Sequence, residues 1–369
     1  MFKRKLMYYG LSFFLLLAGC SNQRHLEDLS LNLILGLDID KQNRLQVYVV
    51  SPVFTKESNG KEEITHVQSI TLRSSREQLD ERVMGMMVGS KTQLILIGQR
   101  LLHKKQWIQY LDSFYRDPQN NVNAQMIAVE GPIARVFQYP SKNKPRLSFY
   151  LTKLLTTAYQ RNNTVRTSLQ HFREQILEKG ITPSMTRLKK SHLFQINGSV
   201  LLDDNQRQCI SISSLETKWL QILRKTQKGD FSITCSLVPN VNTSKENYVS
   251  FSILNMHTQT KVTNNGRFHF YVNVAMKIQI TEFSPLFSIQ KKNAVLEKEI
   301  EKSLNIHLQR FVQRIQKHKI DPIGYGNYAR AYSYPEWEKV KEHWGTSFAQ
   351  SKIHIKTHVK IMGIGTIQS

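Results

Sequence analysis

Two stretches in the last third of the chain constrain the fold most. From Lys291 to Lys317, apolar residues recur at Leu296, Ile300, Leu304, Leu308, Phe311 and Ile315, in steps of four or three. That spacing puts them on one face of a long helix. Opposite lie Glu297, Lys298, Glu301 and Lys302, which reads as a solvated face with i,i+4 pairs. The C-terminal stretch alternates strictly instead. Ile353, Ile355, Val359 and Ile361 face one way, while Lys352, His354, Lys356, His358 and Lys360 face the other. Each element must bury its apolar side, and one sheet-and-helix layer does this for both.

Upstream of that helix the pattern is of consecutive strands: Tyr248 to Leu254, Thr258 to Val262 and Arg267 to Ile280, with Asn264-Asn265-Gly266 as a turn. Earlier still, Leu31 to Ile39 and Leu45 to Val50 read as strands joined by Asp40-Lys41-Gln42-Asn43-Arg44, a turn sequence. Gln93 to Gly98 is continuously apolar after its first residue and reads as a central strand. Helix spacing is visible over Arg76 to Met87, Trp107 to Tyr115, Phe149 to Arg161 and Ser168 to Glu178. Short strands follow from His192, with a short helix about Thr217 to Leu223 and a linker over Val238 to Lys245. The expected class is α+β, with three domains of mainly antiparallel sheets flanked by helices. The expected boundaries are 20–190, a small β-rich unit over 191–240, and 241–369.

The N-terminus fixes the compartment. Lys3, Arg4 and Lys5 precede an apolar run from Leu6 to Leu17 that is too short to stay in a bilayer as a spanning helix. Leu17-Ala18-Gly19-Cys20 then matches a bacterial lipobox. Leu17 suits an apolar peptidase pocket, and Ala18 and Gly19 let the backbone approach. Only a thiolate at position 20 can form the thioether to a diacylglyceryl group. An ordinary secretory cut after Ala18 or Gly19 is the alternative, but all four lipobox positions fit. Residues 1–19 are therefore expected to be a lipoprotein signal peptide. The mature chain is expected to begin at Cys20, outside the cytoplasmic membrane.

Charge follows from that placement. Lys and Arg number 51 against 28 Asp and Glu, for a net +23, and the signal removes three cations and no acid. Nucleic acid is a poor partner for an exported lipoprotein. Anionic lipid suits a basic surface better, and general solubility is the blander account of most of these charges. Cys209 and Cys235 remain in a compartment that permits disulfides, but strand alternation puts Cys235 with a buried face and Cys209 with a polar one.

Catalytic patterns are absent: there is no H-E-x-x-H, Walker A, G-x-G-x-x-G or G-x-S-x-G. Asp38 and Asp40 share a strand face, which fits a hairpin end better than a carboxylate pair. His354 and His358 are about 13 Å apart on an extended strand, too far for one metal. Gly324-Tyr325-Gly326 and Gly363-Ile364-Gly365 read as tight turns. Asn197-Gly198-Ser199 and Asn242-Thr243-Ser244 fit a glycosylation pattern but read as turns in a bacterial lipoprotein. No catalytic, cofactor or metal residue is expected.

The chain as a whole resembles the Ger(x)C family, the lipoprotein C subunits of spore germinant receptors. The likeness is carried in order by the lipobox with Arg24 to Leu31, Gly36-Leu37-Asp38-Ile39-Asp40, Lys91 to Gly98, and Phe114-Tyr115-Arg116-Asp117-Pro118. It continues through Asp321-Pro322-Ile323-Gly324-Tyr325-Gly326, the pair Trp337 and Trp344, and the terminal strand closing on Gly363. Ser21 and Gln99 stand where the family often has Trp and Glu. The resemblance implies a non-enzymatic, palmitate-type lipoprotein on the outer face of the inner spore membrane. It would assemble there with two integral-membrane subunits, A and B, into a nutrient receptor. A solute-binding lipoprotein of a transporter is the alternative, disfavoured because such proteins repeat strand-helix units in two lobes. A cell-wall hydrolase would need an acid/base or metal set.

Overall fold

The computed structural model describes residues 25, 28–54, 61–83, 85–139, 145–237, 248–283 and 293–365. Its first half runs β1 (Leu29–Leu31), β2 (Ile34–Ile39), β3 (Leu45–Pro52), β4 (Glu62–Ser69), α1 (Leu72–Asp80), β5 (Met86–Val88), β6 (Leu94–Gly98), α2 (Gln99–His103), α3 (Asp112–Arg116), β7 (Gln125–Glu130), α4 (Ala134–Phe137), α5 (Leu147–Gln160), α6 (Leu169–Leu177) and β8 (Ser184–Lys190). The second half runs β9 (Phe194–Leu202), β10 (Gln208–Ile212), α7 (Ser214–Arg224), β11 (Ser232–Ser236), β12 (Tyr248–Asn264), β13 (Phe268–Phe283), α8 (Asn293–Lys317), α9 (Tyr325–Tyr332), α10 (Tyr334–Glu338), α11 (Trp344–Gln350) and β14 (Lys352–Ile364).

Eight strands form one sheet in the order β10-β9-β8-β7-β6-β2-β3-β4. The continuously apolar β6 lies well inside it, with Leu94, Ile95, Leu96 and Ile97 all buried. It pairs parallel with both β2 and β7, and β7 pairs parallel with β8. Helices carry the crossovers and cover both faces, which is why these strands lack alternation. One core, with Trp107 and Phe172, lies on one face; a second, with Leu147, Leu151 and Leu155 of α5, lies on the other.

The α+β class holds; the eight-stranded and four-stranded sheets are mixed, and six of their ten strand pairings are antiparallel, as expected. The strands expected in a unit over 191–240 are shared out: β9 and β10 complete the large sheet, and β11 opens the small one. Helix α1 starts earlier than its spacing suggested, because Thr71 caps it in a reciprocal box with Ser74. Met87 leaves the expected helix for β5, which pairs with β1. Residues 238–245, expected as a linker, lie outside the described residues.

The small sheet has the order β11-β12-β13-β14. Gly266, at φ 81°, closes the β12–β13 hairpin where a left-handed residue is needed. The α8 stripe from Leu296 to Ile315 is buried against one face of this sheet, together with Trp219 and Leu220 of α7. The other face is open. Strand β14 pairs parallel with β13 and keeps the expected alternation, with Thr357 also buried.

Candidate functional site

Leu17, Ala18, Gly19 and Cys20 lie outside the described residues, as do Asn242, Thr243 and Ser244. The carboxylates read from sequence serve the backbone. Asp38 is buried, and its Oδ1 accepts the N–H groups of Ile39 at 2.9 Å and Leu101 at 3.1 Å. It thereby ties the start of α2 to the end of β2, and burial raises its carboxyl above the ordinary range. Gly98 makes room for it, since a Cβ there would fall 2.1 Å from Asp38 Cγ. Asp40 accepts from the N–H groups of Gln42 and Arg44 and pairs with the Arg44 side chain, closing the hairpin. The two do not face each other as an acid/base pair.

Asp321 is the most enclosed of these groups. Its Oδ1 accepts from Gly324 N, and its Oδ2 accepts from Gly326 N and from Trp344 Nε1, each at 2.9 Å. Burial pushes the carboxyl up to about 6 against those bonds and the nearby Arg224 guanidinium. The same burial brings Arg224 down to about 10. The backbone carbonyl of Asp321 accepts from Thr182 N at 2.9 Å, and Pro322 O accepts from Arg224 Nε. Arg224 Nη1 also donates to Ser184 Oγ at 3.1 Å. Three segments distant in sequence are thus fastened at one point: the start of β8, the end of α7 and the 321–326 loop.

Gly324-Tyr325-Gly326 is consequently more than a tight turn. Gly324 sits at φ 88°, and a Cβ on Gly326 would fall 2.5 Å from Gly180 Cα. Trp337 and Trp344 meet edge to face at 5.1 Å, both buried, which gives the tryptophan pair a packing role beside Asp321. Around this bolt, Arg330 pairs with Glu178 and Lys179 with Glu342. A cleft of about 650 Å³ opens nearby between α5, α6 and α7, lined by Arg166, Arg224 and Lys228 among others.

Cys209 is half-buried on β10 and Cys235 buried on β11, so they lie in different sheets. His354 and His358 stand exposed on β14, and no group of three His, Cys, Asp or Glu suited to a metal occurs among the described residues. His354 stacks instead on Tyr271 at 4.9 Å. No described helix is long and apolar enough to cross a membrane.

Sequence reasoning missed the contact between α8 and the edge of β14. Glu297, Glu301 and Asn305 accept the N–H groups of Ile361, Val359 and Thr357 at 2.9, 2.8 and 3.0 Å. Glu297 and Glu301 are therefore not on a solvated face, whereas Lys298 and Lys302 are exposed as expected. The i,i+4,i+8 spacing of three hydrogen-bonding side chains was the available signal.

Comparison with known proteins agrees with the whole-chain likeness. Residues 22–190 match the family described as spore germination protein N-terminal domain, and residues 197–365 match spore germination B3/GerAC like, C-terminal. The chain is 24% identical to spore germination protein B3 of Bacillus subtilis (strain 168), over 97% of this chain and 98% of that protein. It is 21% identical to spore germination protein GerQC of Bacillus cereus, over 99% of this chain and all of that protein. Its fold is similar to the crystal structure of the GerBC protein, with a TM-score of 0.55 and 18% identity, covering 89% of this chain and 96% of that one. The chain belongs to the Ger(x)C family of spore germination proteins.

Proposed function

We propose that this chain is the lipid-anchored C subunit of a nutrient germinant receptor, required for spores to germinate in response to nutrients. Diacylglyceryl-Cys20 would hold it on the outer face of the inner spore membrane, beside two integral-membrane subunits, A and B. The end-to-end match to two spore germination proteins carries this reading. The lipobox supplies the anchor. The role is assembly rather than turnover, because Asp38, Asp40 and Asp321 are each engaged in holding backbone N–H groups.

The test is deletion of the gene, followed by germination on a nutrient panel and complementation with the parent chain. Loss of the response to at least one nutrient, restored by complementation, is expected. Normal germination on every nutrient, with impaired uptake of a solute instead, would favour the transporter reading.

A further inference from the structure

Over most of its length the open face of the β12-β13-β14 sheet carries basic and neutral side chains and no acid. Stretches 255–263 of β12, 269–279 of β13 and 352–362 of β14 contain no Asp or Glu. Their outward positions carry five lysines: Lys261, Lys277, Lys352, Lys356 and Lys360, all exposed. His257, His354 and His358 are exposed on the same face. Cross-strand register places Lys277 opposite Lys360 and His269 opposite Lys352. Lys277 and Lys360 are like charges on neighbouring strands, an arrangement that weakens a sheet, although Lys360 also reaches Glu297 at 3.4 Å. Exposed Tyr271 and Met362 add apolar area to the same surface.

Three of the five lysines follow one another along β14, with one each on β12 and β13, rather than gathering around a pocket. A pocket would suit one small anion. A broad sheet with lysines repeated along it suits a surface whose negative charges are closely spaced and mobile. Tyrosine beside lysine is also the composition favoured at a bilayer's polar boundary.

We propose that this face of the β12-β13-β14 sheet lies against anionic lipid headgroups. The inference rests on the reading above in one respect: an anchor at Cys20 would keep the face within reach of a membrane. The two acyl chains of a diacylglyceryl group suffice for attachment; contact through the lysines would set how the anchored chain lies on the membrane.

The test uses the mature chain 20–369 with Cys20→Ser, so that no lipid can be attached, and vesicles of phosphatidylcholine with or without about one-third phosphatidylglycerol at about 0.1 M salt. The variant is Lys277→Gln/Lys352→Gln/Lys356→Gln. Lys360 is kept because it pairs with Glu297 at 3.4 Å. A control removes three exposed lysines elsewhere, as Lys41→Gln/Lys91→Gln/Lys105→Gln. A charge-retaining Lys→Arg version of the first triple checks that charge, not side-chain identity, is read.

Binding to the phosphatidylglycerol vesicles alone is expected, weakened on the order of a hundredfold by the first Gln triple. It should be largely unchanged in the control and the Arg triple, with thermal melts matching the parent. Absence of binding by the parent chain, or equal weakening in both Gln triples, would overturn the proposal. So would loss of receptor assembly in spores by the first triple without any vesicle binding, which would assign the face to an acidic protein. None of these results bears on the deletion test, so the two readings fail separately.

Discussion

Glu301 Oε1 accepts the backbone N–H of Val359 at 2.8 Å, so a helix side chain occupies a site where another strand would otherwise pair. Asn305 and Glu297 do the same for Thr357 and Ile361, one step to either side. The match is geometric. Four residues of helix advance about 6 Å, and two residues of strand advance about 6.6 Å, so an i,i+4,i+8 row meets alternate N–H groups of an adjacent strand. The β14 edge is thereby closed against further pairing.

Glu301→Ala should therefore destabilise the protein by about 1–3 kcal/mol, the cost of leaving a half-buried N–H without its acceptor. Glu301→Gln keeps an acceptor and should cost less. Urea unfolding of both variants measures the difference. A Glu301→Ala midpoint equal to the parent's would return this residue to a solvated role.

Leu304 is fully buried in the core shared by α8 and the small sheet. Leu304→Ala should cost about 2–5 kcal/mol, by lost burial and the cavity left behind. Lys356→Ala, on the exposed face, should change stability by less than about 0.5 kcal/mol. Thermal melts side by side make the comparison, and a parent-like melt for Leu304→Ala would contradict the packing.

Asp321 predicts a pH dependence with a definite sign. Its folded carboxyl titrates at about 6 and its ordinary value is 3.8, so the folded state holds this proton more tightly than the unfolded chain. Stability contributed by that proton is full below about pH 4 and is lost as pH rises through 6. The parent should lose stability on the order of 2 kcal/mol across that window relative to Asp321→Asn. Urea midpoints for both chains at pH 4, 5, 6 and 7 test this. A gap that does not change with pH would show that Asp321 does not titrate there.

Cys20→Ala should abolish labelling by a radioactive fatty acid and leave an uncleaved or misplaced precursor, because no other side chain at that position can form the thioether. Normal labelling of the variant would remove the anchor from the proposed function.

The strongest periodicities were legible in sequence because they encode burial directly. The α8 stripe, the alternation of β14 and the unbroken apolar run of β6 each state how many faces of an element are covered. Local turn chemistry was legible for the same reason: Asp40 and Gly266 act within a few residues of themselves. Tertiary structure decided what depends on partners remote in the chain. Sequence could not show that Glu301 faces a strand edge, since a helix-surface glutamate looks alike beside water or beside Val359. It could not show that Asp321, Arg224 and Ser184 meet at one buried point, because 40 residues separate Ser184 from Arg224 and 98 separate Arg224 from Pro322. The basic face was visible on β14 alone. Only pairing with β13 and β12 brought Lys277 and Lys261 beside it, because sheet register is set by long-range hydrogen bonds and burial rather than by either strand's own sequence.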